Sequence, residues 1–452
     1  MSLQQQLEIT AVGNPTSFDT FARHLPLEWI ERALAATGTA TVRRRRLPAE
    51  QVVWLLIGMA LMRDRAIEEV LTKLDLALPM PHGRSVAPSC IPDARKRLGE
   101  ESMALLFAET ASWWAHSHAG VNEWRGLALY GIDGSKLNVA DTDDNRATFG
   151  GQSSAKTASD SAYPMVRIVA LQSLRTHLLA AVAIGPYKGS SELSLTDGLL
   201  AHIPDVSLTL MDRNFLNDRI LLPLTTLGSE RHILMRAKKN TVMHFVERLG
   251  ANDAIVELNH GAAALKADPN LPKTWRVRAI SYHLPGGKPE ILLTTLLDPK
   301  AYPADELIEL YHERWEIELG FDEKKTKMLQ RREALRSKSP AAVRQELWGL
   351  LLAYNLVRLE MAAVAKEAGV PATRISFIAS LHLIRDEWLW CTVAKPGAIP
   401  RHLRNLRADL RRFILPARRR ERRYPRELKS TKARFPRKKQ TRKAAQAATG
   451  EG

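Results

Sequence analysis

Two aspartates close apolar, strand-like runs. Asp133 ends Gly126-Leu-Ala-Leu-Tyr-Gly-Ile-Asp133, and Asp212 ends Val206-Ser-Leu-Thr-Leu-Met-Asp212. Counting by two puts Leu127, Leu129, Gly131 and Asp133 on one face, as it does Val206, Leu208, Leu210 and Asp212. A carboxylate at the C-terminal edge of a buried α/β strand faces the crevice where such folds bind ligands. Either aspartate alone is more simply read as the opening of a turn, Asp133-Gly134 being a common turn pair. A third acid changes that balance. Tyr311 to Lys325 is a run of strong helix formers without proline. At 100° per residue Tyr311, Arg314, Glu318 and Lys325 fall within an arc of about 60°. Glu313, Glu316 and Glu323 point elsewhere, and Glu313 and Glu316 read as charges on a solvated face. Glu318 is therefore lined up with a phenol, a guanidinium and an ammonium. Ordinary helix stabilisation by an i,i+4 pair accounts for Arg314 and Glu318. It accounts for neither Tyr311 nor Lys325.

The elements that must position these residues are an α/β set. Val166 to Ile184 reads as two strands turning near Arg175-Thr-His177, and Ser191 to His202 as a helix. Strand, hairpin, helix, strand is the order expected of a ribonuclease H-like α/β core. Short β-like runs at His232–Arg236, Trp275–Tyr282 and Glu290–Leu297, separated by Pro and Gly, predict a β-rich insertion. Helix returns over Asp305–Met328 and Ala341–Ala368. Ahead of the core, residues 25–120 read as helical, with Pro48 placed where its missing N–H costs nothing. The expected divisions are an all-helical N-terminal DNA-binding domain (1–120), the first part of the core (121–230), the β-rich insertion (231–300), the second part of the core (301–370), a C-terminal helical region (371–415) and a basic tail, disordered alone (416–452).

Composition narrows the class. Over 452 residues, 45% hydrophobic and 25% charged residues exclude a mostly disordered or collagen-like chain. The formal charge is +17, and residues 401–452 hold 19 Lys/Arg against 4 Asp/Glu. The first 400 residues keep 47 basic and 45 acidic groups, so the body is nearly neutral. A polyanion is the expected partner, nucleic acid ahead of an acidic membrane. The run Arg43–Arg46 is either a solvated linker or a DNA contact. Cys90 and Cys391 are too few for a disulfide framework or a thiolate zinc site, and fit a reducing cytoplasm. The N-terminus lacks the pattern of a signal peptide. Val52–Met62, the longest apolar run, is about half of what a bilayer requires.

The spacing of Tyr311, Arg314, Glu318 and Lys325 resembles the YREK motif of the insertion element 4 family of DDE transposases. Asp133-Gly134-Ser135 and Asp212-Arg213-Asn214-Phe215 are similar to that family's first and second aspartate motifs, with Asn214 where glycine is common. The stretches Glu28-Trp29 to Arg65, Asp141-Thr142 to Phe149-Gly150 and Glu346 to Asn355 also look like the family, so the resemblance runs along nearly the whole chain. It implies a catalytic triad of Asp133, Asp212 and Glu318 that is also the metal site, holding two Mg²⁺ ions for which Mn²⁺ substitutes. Two carboxylates about 4 Å apart repel by roughly 4 kcal/mol at a partly screened dielectric, so such a triad calls for cations. Tyr311, Arg314, Lys325 and Arg213 are implied to contact DNA.

The implied activity is metal-dependent cleavage at terminal inverted repeats, by way of a hairpin, followed by joining of the 3′-hydroxyls to target DNA. The implied partners are double-stranded DNA and a second copy in a homodimeric paired-end complex, in the cytoplasm and on the nucleoid of a bacterium, with no membrane. The alternatives are a transposase-derived repressor without catalysis and a ribonuclease H-like nuclease that does not join strands. Trp275 is either a base-stacking residue of the insertion or core packing. A calcium loop at Asp141 fails at Arg146 and Gln152, and Gly185 to Ser190 lacks the order of a phosphate loop. His116 and His118 have no partners at metal spacing and are expected at the surface.

Overall fold

A computed structural model describes residues 24–40, 47–74, 76, 86–151, 163–283, 289–330, 334–391 and 399–417. Arg43–Arg46, Gln152 and the tail beyond Ala417 lie outside the described residues. The N-terminal region is helical as expected: α1 (Leu27–Ala36), α2 (Ala49–Leu61), α3 (Ile67–Lys73), α4 (Cys90–Leu98) and α5 (Glu101–Ser117). The apolar run Val52–Met62 is buried throughout, and in α2 only Glu50 stays partly exposed.

The core begins with an antiparallel meander of β1 (Leu127–Val139), β2 (Met165–Ser173) and β3 (Leu179–Pro186). The hairpin between β2 and β3 turns at Arg175-Thr-His177, where His177 takes the left-handed conformation at φ 61. After α6 (Asp143–Phe149) and α7 (Glu192–Thr196), β4 (Ser207–Met211) pairs in parallel with β1. Helix α8 (Asp218–Thr226) then crosses to β5 (Arg231–Arg236), which is parallel to β4. The order β3-β2-β1-β4-β5 is that of a ribonuclease H-like sheet.

Sequence reading opened the insertion at 231, and the pairing corrects that boundary. Arg231–Arg236 is the fifth core strand. A strand's partner is set across the intervening helix, which a string of short β-like runs does not reveal. Beyond β5 the same sheet continues through β6 (Met243–Gly250), β7 (Asp253–Asn259), β8 (Thr274–His283) and β9 (Pro289–Thr294), with β9 against β5 and β6 at the far edge. The insertion therefore widens the core sheet. Helix α9 (Ala262–Ala267) lies between β7 and β8.

Four longer segments complete the body: α10 (Ala304–Tyr311), α11 (Trp315–Asp322), α12 (Pro340–Ala368) and the pair α13 (Phe377–Cys391) and α14 (Ile399–Arg411). Among the described residues, α12 is the one helix that meets the requirement for crossing a membrane by length and apolarity, but 89% of its apolar window is buried inside the protein. It is the central core helix. Against it α2 comes so close that a Cβ added at Gly349 would lie 2.7 Å from the Leu56 carbonyl oxygen. Backbone cannot retreat as a side chain does. Gly349→Ala is therefore expected to cost about 1–3 kcal/mol by overpacking, more than alanine's better helix propensity returns, read as a lower denaturant midpoint.

A buried polar seam reinforces this contact. Arg63 donates to Glu346 at 2.6 Å, and Glu346 also accepts from the Ser337 amide at 2.9 Å. Arg95 is buried and donates to Ser337 Oγ at 3.0 Å and to the Ala342 carbonyl at 2.8 Å. Everything described up to Leu415 belongs to one compact unit. The divisions expected at 120, 300 and 370 are regions of a single body.

Candidate active site

Strand β1 does not stop at Asp133, as the sequence suggested. Asp133 pairs with Ala170 and Gly134 with Val169, and the strand runs six residues further. Asp133-Gly134 is therefore no turn. What stops is the ladder on the other flank, where β1 meets β4 for the last time at Ile132 and Met211. Asp133 and Asp212 each follow that last pair, so they stand at the same step of neighbouring parallel strands, which lie about 4.8 Å apart. Asp212 precedes a 3₁₀ turn over Arg213–Phe215 yet makes no capping hydrogen bond to it. Aspartate is among the best caps, so its carboxylate is left for another partner. Burial pushes the Asp133 carboxyl up to about 6; the Gly134 amide (2.8 Å) and Arg314 oppose this, while Glu192 and Glu318 add to it.

The third acid rides on a helical segment unbroken from Ala304 to Met328. It tightens into a 3₁₀ turn at His312–Arg314, continues as α11, and widens into a π turn at Glu323–Met328. A glycine lets α11 lie close on the sheet. A Cβ at Gly320 would collide with Gln172, the β2 residue paired with Gly131, and Ile317 packs at ordinary contact distance over Gly131 itself. Glu318 follows Ile317 and accepts from Arg314 Nη2 at 2.8 Å. Tyr311 is buried, and its hydroxyl donates to the Met211 carbonyl at 3.3 Å, beside Asp212. Lys325 Nζ donates to Ser135 Oγ at 3.3 Å, two residues beyond Asp133. The four motif residues thus reach the ends of the β1–β4 ladder. Arg213 turns toward the widened sheet, 3.7 Å from Glu290 of β9.

The off-face acids are partly exposed but paired, which corrects the reading of Glu313 and Glu316 as charges on a solvated face. Arg175 in the β2–β3 hairpin makes two 3.0 Å bonds to Glu313, and His177 Nε2 lies 2.8 Å from Glu316. Glu323 is held by Arg358 and by the Tyr354 hydroxyl (2.8 Å), both from α12. A helical wheel assigns directions, but what covers each direction is decided by elements far away in sequence. Between these acids and the site, Lys324 is buried over the Tyr354 ring, 4.0 Å from its centroid. Burial pushes its ammonium down to about 7, with Glu323 raising it and Arg358 lowering it.

For Lys324 the folded value lies below the unfolded one, so the charged form is penalised in the fold. That penalty is complete below about pH 7 and fades as pH rises toward the unfolded value of about 10.4. Lys324→Met is expected to raise stability by an amount on the order of 1–3 kcal/mol at pH 6 and by less at pH 9, measured by denaturant midpoints.

Sequence reading missed two neighbours. Arg236 of β5 stacks over Tyr311 at 5.9 Å and approaches Glu290 at 3.5 Å. Its strand pairing is the signal that would have found it. Trp315, next to Arg314, is 54% exposed on the catalytic helix, large and apolar at a place where packing does not require it. Trp275 lies elsewhere, half-buried and stacked on His260 with centroids 6.1 Å apart.

Residues 15–108 match the insertion element 4 transposase N-terminal domain, and residues 127–356 match the transposase DDE domain. Over 441 residues the chain is 37% identical to the transposase InsG for insertion sequence element IS4 of Escherichia coli (strain K12), covering 96% of this chain and 98% of that one. The chain belongs to the insertion element 4 family of DDE transposases. The putative transposase InsZ of the same organism is 36% identical over 52% of this chain and 76% of its own. A piggyBac transposase synaptic complex with hairpin DNA aligns over 88% of this chain and 85% of that one at 10% identity and a TM-score of 0.38, too distant to bear on any residue.

As a DDE transposase the chain binds DNA, cleaves and transfers it, and depends on a divalent metal. Among the described residues no three His, Cys, Asp or Glu side chains converge closely enough to hold an ion as they stand. The donors nonetheless fit in kind. The transposase offers two adjacent aspartates, one raised by burial and one uncommitted, and a glutamate occupied by Arg314. All are oxygen donors, suited to a hard dication.

Proposed function

We propose that Asp133, Asp212 and Glu318 form the catalytic triad of a cut-and-paste DNA transposase and hold two Mg²⁺ ions, with Mn²⁺ able to replace them. The observation that carries this reading is the placement of the two aspartates one step past the last β1–β4 pair, with Arg314 and Glu318 near enough to act on the Asp133 carboxyl. Bound there, the ions would supply the charge that activates the attacking oxygen and stabilises the leaving one. The rest is done by the chain's own groups. A DNA phosphate arriving at Arg314 competes with Glu318 for the guanidinium and frees the carboxylate to join the aspartates. Arg314 then grips the phosphate in two-pronged fashion, and Lys325 adds a point charge. The Tyr311 hydroxyl exchanges its weak carbonyl contact for a phosphate oxygen, and Arg213 exchanges Glu290 for the neighbouring one.

The N-terminal helices recognise the terminal inverted repeats. A first cut exposes a 3′-hydroxyl, which attacks the opposite strand to give a hairpin; reopening and attack on target DNA follow. Two ends must be held together, so a homodimer on paired ends is the working form, on the nucleoid in the cytoplasm. The basic tail adds sequence-independent phosphate contacts.

The test uses the full chain with DNA bearing the element's ends, in Mg²⁺, in Mn²⁺ and with a chelator, on denaturing gels. Nicks, then hairpins, then joined products are expected with either ion, and none with the chelator. Cleavage that persists in the chelator sinks the metal triad; nicks without joined products favour a plain nuclease. End binding without nicks favours a repressor.

A further inference from the structure

Strand β1 carries a second charged surface on its other face. Lys136 stands three residues past Asp133, about 10 Å along an extended strand, and pairs with Arg167 of β2. Alternation directs both away from the face that Asp133 and Ser135 share. Tyr187, just past β3, lies between them, with Lys136 Nζ 5.4 Å and Arg167 Cζ 5.0 Å from its ring centroid. The charges here are under-neutralised. Arg167 Nε is buried without a hydrogen-bond partner. Its acid neighbour is Glu192, whose Oε1 is 3.6 Å from Nη1 and beyond hydrogen-bonding reach. Lys136 is exposed and makes no ion pair with a described residue. Its charge also bears on Lys325, whose ammonium is lowered first by burial and then by Lys136.

The surface begins one to three residues past the carboxylate end of β1. The ladder to β4 ends at Ile132, and among the described residues β1 is next paired on that flank by Ala334, at Asn138. Of the groups assigned to the element end, Tyr311 bonds to β4 and Arg213 reaches β9, while Lys325 reaches Ser135 of β1. Lys136, Arg167 and Tyr187 lie on the β2–β3 side.

We propose that Lys136 and Arg167, braced by Tyr187, hold the phosphates of the target duplex during strand joining. The inference rests on the transposase reading and adds a place for its second substrate. In joining, the 3′-oxygen of the element end forms a bond to a target phosphorus and gives up its proton to solvent. The target's own 3′-oxygen leaves and takes up a proton. That exchange brings a second backbone to the same carboxylates from a different side. Contacts made only to phosphates carry no base information, which suits a partner of varied sequence.

The experiment uses the full-length protein with pre-cut ends and a supercoiled plasmid target, alongside an uncut end substrate. Lys136→Glu is expected to lower joining at least tenfold and Lys136→Ala several-fold, with Lys136→Arg restoring it. Cleavage of uncut ends should stay within twofold, and half-maximal joining should need more plasmid but no more end DNA. Parallel loss of cleavage and joining would give the surface to the element end and overturn the proposal. Unchanged joining by Lys136→Glu would overturn it as well. A wild-type protein that neither cuts nor joins would overturn the transposase reading, and this proposal with it.

Discussion

Glu318→Gln is expected to abolish strand cleavage, by a factor on the order of 10³–10⁴ or more, while binding to the element ends persists. Glutamine has nearly the same shape and keeps an oxygen to accept from Arg314, so α11 should remain seated with Ile317 over Gly131. What disappears is the third negative charge over the two aspartates. The comparison variant is Glu313→Gln on the same helix, which loosens only the Arg175 contact and should cleave within a few-fold of wild type. Single-turnover cleavage with end-bearing DNA, together with a gel-shift on the same DNA, separates chemistry from binding. Wild-type cleavage by Glu318→Gln would remove this residue from the triad.

The second large effect is on stability. Arg358 is buried in α12 and bonded to Glu323, which is largely covered at the start of the π turn after α11, with Tyr354 and His177 alongside. Removing one partner leaves the other charge buried and unpaired, which costs about 3–5 kcal/mol. Arg358→Met is expected to lose that much in denaturant unfolding, and Glu323→Gln placed on top of it to recover a large part. Burial pushes the Glu323 carboxyl up, but Arg358 and His177 outweigh it and hold it well below the usual range. A depressed folded value contributes stability that is present above the unfolded value of about 4.3 and is lost as pH falls through the folded one. The wild type should therefore owe part of its stability at neutral pH to this pair and lose it in acid. Arg358→Met should show a flatter acid limb. Equal acid limbs in the two proteins would mean that the pair contributes nothing.

Much of the site could be read from the chain because it depends on local periodicity. Asp133 and Asp212 end runs that are buried on both faces, and one helical arc gathers Tyr311, Arg314, Glu318 and Lys325. What could not be read depends on partners distant in sequence. That β1 runs on past Asp133 is decided by β2, whose register carries it, while β4 ends. That Glu313 and Glu316 are paired is decided by a hairpin some 140 residues earlier, at Arg175 and His177. Arg231–Arg236 looks like any other short β run until α8 carries it to the side of β4. Each miss is a case where tertiary contact assigned a role that composition left open.

The merging of the N-terminal helices with α12 has a consequence for the DNA. A reading head bolted to the cutting edge works as a fixed-jaw gauge. Gly349 against Leu56, and Glu346 against Arg63, join the described helices proposed to recognise an end to the same compact body as the strands that carry Asp133 and Asp212. The spacing between the recognised bases and the cut phosphodiester then becomes a dimension of the protein. One inserted base pair shifts the phosphate by about 3.4 Å along the duplex and rotates it out of line, so the cut should move with the recognised bases, one nucleotide for each nucleotide inserted.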